Sequence, residues 1–312
     1  MNPQIKHQYI DDVKAISVKT YIKKRLEAFA ELREDFSALS DYETMLMFSL
    51  SYPKEEVPFK GKGYGKVSRY SYGLDYHQVY QQAFKDLEAT LDSQGIKAKG
   101  YADISPIDER FAAHLAGLGY LGKNQFLIHP TFGTYHFIGV MLIDTVYETE
   151  PYAYDTCGDC TKCIDACPPG ALDHGFDKRK CTSYVTQAKE ALDMCDLRPL
   201  KTKLFGCDIC QKVCPKNQAI TPVFHDVFTA DDHAQLNLTD LLTMSNKAIQ
   251  KAYKNYAFGF RGGLVLKRNA MALLMNQGVM DALPLMKQVY NNYKHVDWFE
   301  QTAKLILNAM EE

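Results

Sequence analysis

Nine cysteines carry the most specific chemistry in this 312-residue chain, and all of them lie between Cys157 and Cys214. Cys157, Cys160, Cys163 and Cys167 form C-x2-C-x2-C-x3-C, followed by Pro168. Two-residue gaps let three sulfurs converge on one iron–sulfur cube, and the wider gap with its proline turns the fourth toward a second cube. Structural zinc prefers two separated cysteine pairs, which this triple run fits poorly. A secreted disulfide scaffold would be short and would carry a signal peptide, whereas MNPQIKHQYIDD has no apolar signal core.

A second run, Cys207, Cys210 and Cys214, gives C-x2-C-x3-C before Pro215, with Leu204 where a full motif has its first cysteine. Two cubes need eight thiolates, and the two runs supply seven. Crossing the fourth cysteines assigns one 4Fe–4S cluster to Cys157, Cys160, Cys163 and Cys214. The other takes Cys167, Cys207, Cys210 and either Cys181 or Cys195; the remaining cysteine packs as an ordinary thiol. Two clusters imply one-electron traffic toward something else. The chain is far longer than a small electron carrier, which argues for a further redox cofactor.

Several elements must position this chemistry. Residues 1–42 read as helix, and Met45–Ser51 reads as a buried strand ended by Tyr52-Pro53. Lys54–Tyr72, rich in Gly, Lys and Tyr, reads as a loop, and Tyr76–Leu91 as a helix ended before Gly95. Ile96–Asp103, Gln125–Ile128 and above all Thr134–Asp144 are strand candidates, with a short helix over Asp108–Leu118. Beyond about residue 237 the chain reads as helical, and Phe299, Ala303, Ile306 and Met310 stripe its last helix. The expectation is an α/β core over 1–150, a two-cluster ferredoxin-like module over 151–220 and a small all-helical domain over 221–312.

Hydrophobic residues make up 46% and charged residues 24%, which excludes a disordered or fibrous chain. No apolar run approaches the roughly 20 residues of a membrane span. A cytoplasmic protein without membrane contact is expected. No G-x-G-x-x-G follows a strand, so a dinucleotide fold is unsupported. Gly61, Gly63 and Gly65 mark a flexible lid or a close backbone approach instead.

The stretches DISPIDERFAAHLAGLGYLGKN, CGDCTKCIDACPPGAL, CTSYVTQ and FGCDICQKVCP resemble epoxyqueuosine reductase. That family is cobalamin-dependent and iron–sulfur-containing, acts on tRNA, and is related in its core to reductive dehalogenases. The likeness covers roughly residues 40–270. It implies reduction of epoxyqueuosine at the tRNA wobble position to queuosine, with cobalamin and two 4Fe–4S clusters. It makes Cys181 the eighth ligand and leaves Cys195 spare. It makes Asp103, six residues before Glu109-Arg110, the general acid for the opening epoxide oxygen. It maps corrin contacts onto Arg69, Lys123, Ser183, Thr186 and Gln187. Asp75-Tyr76-His77 begins the D-x-H-x-x-G motif that donates a histidine to cobalt, but Tyr80 stands where glycine is needed. Family members end in HEAT-type helical repeats, for which this chain has room for about one and a half helix pairs.

Net charge is −2, so any nucleic-acid surface must be local. Leu241–Met280 contains no Asp or Glu, and six cations lie there, including Lys254, Arg261, Lys267 and Arg268. Tyr253, Tyr256, Phe258 and Phe260 interleave with them. Cations for phosphate and aromatics for unstacked bases suit a single-stranded RNA loop. The expected partners are tRNA carrying epoxyqueuosine and a low-potential electron donor, with the protein a monomer. The competing readings are a reductase of a small halogenated or epoxide substrate, a pure electron-transfer protein, and a zinc-stabilised RNA-binding module.

Overall fold

A computed structural model describes residues 5–29, 31, 34–153 and 156–312. The elements run β1 (Asp12–Ser17), α1 (Val18–Ala28), β2 (Thr44–Ser51), β3 (Tyr64–Val67), α2 (Tyr76–Asp92), β4 (Ala98–Tyr101), α3 (Glu109–Leu115), β5 (Tyr120–Leu121), β6 (Leu127–Ile128) and β7 (His136–Ile143). There follow α4 (Lys162–Asp165), α5 (Thr182–Val185), α6 (Met194–Leu197), β8 (Lys203–Phe205), α7 (Ile209–Lys212) and β9 (Gln235–Asn237). The chain ends with α8 (Leu238–Thr243), α9 (Asn246–Tyr253), α10 (Gly263–Asn276), α11 (Leu283–Tyr293) and α12 (Asp297–Glu311).

Backbone proximity divides these into two units that interleave along the chain, rather than three consecutive segments. The first holds Met1–Pro53, Tyr76–Cys160 and Cys214–His225. The second holds Lys54–Asp75, Thr161–Val213 and Asp226–Glu312.

In the first unit an antiparallel sheet runs β1-β2-β7-β4. Every residue of β2 is buried, as its uninterrupted apolar run requires. Helix α2 turns Val79, Tyr80, Ala83, Phe84, Leu87 and Leu91 inward at helical spacing. Gly100 on β4 and Gly139 on β7 let Phe84 lie flat against the sheet: a Cβ on either would come within 2.4 and 2.7 Å of its ring. The continuous helix expected over residues 1–42 is not formed. Val13 and Ile16 belong to strand β1, which pairs along β2 from Asp12↔Ser49 to Ser17↔Thr44. Helix α1 begins only where Ser17 accepts a cap bond from the Thr20 amide. Pairing with the sheet edge outweighs local helix propensity there. Residues 1–4, 30, 32 and 33 of that expected helix lie outside the described residues.

The second unit joins a small sheet, β8-β3-β9, to the helices α8–α12. The expected Lys54–Tyr72 loop therefore contains a strand. β3 pairs parallel with β8 and antiparallel with β9, both remote in sequence, so no local pattern marked it. At Gly65 in β3 an added Cβ would sit 2.8 Å from the Leu238 side chain, a close approach that favours glycine. The helical reading beyond residue 237 holds, and Phe299, Ala303, Ile306 and Met310 on α12 are buried. Among the described residues no helix is long and apolar enough to cross a membrane.

Candidate active site and thiol ligands

Asp103 follows β4 in a three-residue turn in which the Ile104 amide donates to the Ala102 carbonyl at 2.7 Å. Its φ is +61°, a left-handed conformation that costs energy in any residue but glycine and that Asp tolerates better than most. The turn holds the carboxylate half-exposed on a cleft of about 400 Å³ lined by Tyr76, Asp103, Ile107, Asp108, Glu109, Arg110, His136, Phe137 and Ile138. The Tyr76 hydroxyl donates to Asp103 Oδ2, and His77 Nε2 lies 3.0 Å from the same oxygen. Tyr76 is clamped between the His77 and Phe137 rings, each with its centroid 4.1 Å away. Burial works against the Asp103 charge, but the bonds from His77 and Tyr76 outweigh it and hold the carboxyl below its usual range.

Glu109 opens α3 on the same cleft. Its Oε2 accepts the Asp103 amide at 3.3 Å, while its Oε1 is buried without a hydrogen-bond partner among the described residues. Burial pushes this carboxyl up to about 7. A hydrogen bond from Ser105 opposes the shift and the negative charge of Asp103 adds to it. His136 is buried between Ser49 Oγ, 3.0 Å from Nδ1, and the Leu127 carbonyl, 3.1 Å from Nε2. Burial drives it down to about 3, so it stays neutral. The sequence marks Asp103 but carries no local signal for Tyr76, His77 and Glu109 as its partners. Glu109 was in view only as a landmark, and no spacing rule links the start of α2 to a turn 26 residues later.

The thiols gather within each unit. In the first, Cys157 and Cys160 act electrostatically on the buried Cys214. In the second, Cys207, Cys181, Cys163 and Cys167 all act on Cys210, so Cys163, expected on the cluster of Cys157, Cys160 and Cys214, falls among the thiols of the other unit. Cys195 is absent from that set and is exposed on α6. Burial raises Cys207 to about 11 and Cys210 further. Such sulfurs ionise together only with positive charge between them, which an iron–sulfur cube supplies. Among the described residues no three His, Cys, Asp or Glu side chains close tightly enough around a single ion. The gathering of buried thiols around Cys210 and Cys214 fits clusters.

The residues expected at a corrin fall in both units. In the second unit Arg69 is 3% exposed; its Nη1 donates to the Lys54 carbonyl and its Nε lies 3.6 Å from Asp208. Thr186 is buried, donating to the Ser183 carbonyl and accepting from the Gly206 amide. Gln187 donates to the Ser183 carbonyl at 3.1 Å and approaches the Tyr70 hydroxyl. Ser71 Oγ, in the turn of Arg69, is buried without a partner among the described residues, a polar atom that an amide-bearing ring could use. In the first unit Lys123 is engaged otherwise, donating to carbonyls of the first cysteine loop.

Two of the expected RNA contacts are corrected. Lys267 and Arg268 are 1% and 0% exposed, inside α10. Lys267 Nζ donates to the Leu241 and Leu242 carbonyls, at 3.3 and 2.6 Å. Arg268 donates to the Ala188 and Val185 carbonyls and to Asn269 Oδ1. These cations satisfy carbonyls left over where short helices end, so they cannot reach phosphate. Tyr253 and Phe258 are likewise core residues. Lys247, Lys251 and Lys254 remain exposed and share one face of α9 by their spacing. Phe260 is 61% exposed with the Arg261 guanidinium 4.6 Å from its ring centroid.

The family model for the 4Fe–4S double cluster binding domain matches residues 156–217, and that for epoxyqueuosine reductase QueG matches residues 33–104. The chain is 33% identical over 254 residues to epoxyqueuosine reductase of Staphylococcus aureus, covering 79% of this chain and 67% of the relative. It is 33% identical over 283 residues to that of Lactococcus garvieae, covering 88% and 80%. Its fold resembles the structure of epoxyqueuosine reductase from Streptococcus thermophilus, with TM-score 0.83 and 27% identity, covering 97% of this chain and 87% of that one. A Bacillus subtilis structure, TM-score 0.82 and 26% identity over 96% of this chain and 87% of that one, is described with a catalytic aspartate loop swung out of its active site. Identity at this level over most of both chains, with the cysteine order and the double-cluster domain, makes this chain a member of the epoxyqueuosine reductase family.

Proposed function

We propose that this protein reduces epoxyqueuosine at the tRNA wobble position to queuosine, using two 4Fe–4S clusters and cobalamin. The observation that carries the reading is the Asp103 carboxylate, held over an open cleft by Tyr76 and His77, in a chain of this family. When bound, the clusters deliver electrons singly and cobalamin supplies the nucleophile for an epoxide carbon. Asp103 is the general acid through which a proton reaches the opening oxygen. Its bonds to Tyr76 and His77 hold the carboxylate in place and connect it to groups that carry protons. Cys157, Cys160, Cys163 and Cys214 hold one cluster, and Cys167, Cys181, Cys207 and Cys210 the other. Arg69, Ser183, Thr186 and Gln187 would hold cobalamin by its polar periphery. Lys123, also expected at the corrin, donates to carbonyls of the first cysteine loop.

Helices α8–α12 form a small HEAT-like domain whose α9 cations and Phe260–Arg261 tip meet tRNA phosphates and bases. The partners are tRNA and a low-potential electron donor, and the protein works as a cytoplasmic monomer. The test is anaerobic reconstitution with iron, sulfide and cobalamin, then reaction with tRNA carrying epoxyqueuosine under a low-potential reductant. The modified nucleoside should lose one oxygen by mass spectrometry. No loss from tRNA, with turnover of a small halogenated or epoxide compound, would favour the competing reductase.

A further inference from the structure

Turning an epoxide into an alkene consumes two electrons and two protons, because both C–O bonds break and the oxygen leaves as water. One acid opens the ring; a second proton must arrive before the oxygen can depart. A single carboxyl with one proton therefore has to be recharged within each turnover.

We propose that Glu109 is the proton store of this cleft, supplying through Asp103 each of the two protons and reloading from solvent between them; this rests on the reading of Asp103 as the acid. Both carboxyls line one cleft, and the Asp103 amide donates to Glu109 Oε2 at 3.3 Å. Among the described residues Glu109 Oε1 is buried with no hydrogen-bond partner, which is costly for a carboxylate and tolerable for a neutral acid. The surroundings agree. Asp103 and Asp108 both add negative charge near Glu109, which favours its protonated form. Arg25, which could offset them, is committed to Glu34 and Asp108. Arg110 donates to the Gln125 carbonyl. Tyr80 is buried with its pKa pushed up, and His136 is neutral, so neither competes as a proton source. His77 contacts Asp103. The two carboxyls thus differ in proton affinity in one cleft: Asp103 is held ionised, and Glu109, at about 7, keeps a proton in about half of the molecules at neutral pH. Asp103 holds a proton less firmly than Glu109 does, so a proton passes from Glu109 through Asp103 only as the more basic substrate oxygen accepts it, and Glu109 stays ionised until solvent reloads it.

The test is Glu109→Gln in the reconstituted enzyme. Glutamine keeps an acceptor for the Asp103 amide and the shape of the side chain but cannot supply the proton. Turnover should fall by about tenfold or more, with iron content and tRNA affinity unchanged. The wild-type rate should decline as pH rises through about 7, where Glu109 loses its proton, and that decline should vanish in the variant. Glu109→Asp should keep a pH-dependent decline. Wild-type turnover and pH profile in Glu109→Gln would overturn the proposal and leave Glu109 as a brace for the turn. Asp103→Asn separates the two readings. If it is inactive while Glu109→Gln is normal, only the proton-store role fails; if it is active, the Asp103 reading fails. Should Glu109→Gln not fold, difference infrared spectra of the wild type decide: a protonated-carboxyl band that titrates near pH 7 is expected, and its absence would overturn the proposal.

Discussion

The Lys123 ammonium donates to the carbonyl of Gly158 at 2.7 Å and to that of Cys160 at 3.2 Å, placing a positive charge on the loop that carries two cluster ligands. Nearby positive charge stabilises the reduced, more negative state of a cluster. Lys123→Met should therefore move the midpoint potential of one cluster to more negative values, with about the same iron content. An electrochemical titration checks this; unchanged potentials would make the contact a brace alone.

The eighth ligand separates two cysteines of similar sequence context. Cys181 acts electrostatically on Cys207 and Cys210, whereas Cys195 is exposed, with its amide donating to Asp193 in the cap of α6. Cys195→Ser should retain about eight iron atoms per chain, and Cys181→Ser should lose one cluster or bind it weakly. Metal analysis and absorption spectra distinguish the two, and a reversed outcome would reassign the ligand.

Asp103→Asn preserves the side-chain shape and removes the transferable proton. Turnover should fall by roughly a hundredfold or more, the usual scale of a general acid. Tyr76→Phe removes one of the bonds that hold the carboxylate and should cost less, with tRNA affinity retained. Single-turnover rates with both variants test the order; equal losses would mean that Tyr76 shares the proton-donating role.

The basic window divides into surface and core. Replacing Lys247, Lys251 and Lys254 together with Ala should weaken tRNA binding and flatten its salt dependence, by roughly 0.7 in log–log slope for each phosphate no longer neutralised. Arg268→Ala should instead strip partners from the buried Ala188 and Val185 carbonyls and destabilise the fold by about 3 kcal/mol. Binding isotherms at several salt concentrations and thermal unfolding of both variants check the division. An unchanged slope in the lysine variant would move the RNA face elsewhere.

The cysteine spacing alone specified the thiol chemistry, because cluster ligands must sit at short, fixed intervals along the chain for their sulfurs to converge. The buried strands β2 and β7 and the closing helices were legible for a similar reason: each is a local apolar pattern that reads the same in any context. What the sequence did not decide was anything settled by distant pairing. Val13 and Ile16 became strand rather than helix because β2 offered an edge, and Tyr64–Val67 became strand through partners well over a hundred residues away. Lys267 and Arg268 looked like a phosphate clamp because charge is read as exposure, yet α10 turns them onto carbonyls at the ends of other segments. Only tertiary structure could seat Tyr76, His77 and Glu109 around Asp103. Burial and neighbouring charge at Glu109, and the bonds from His77 and Tyr76 at Asp103, none of them a property of one stretch of chain, then drive the proton affinities of the two carboxyls apart.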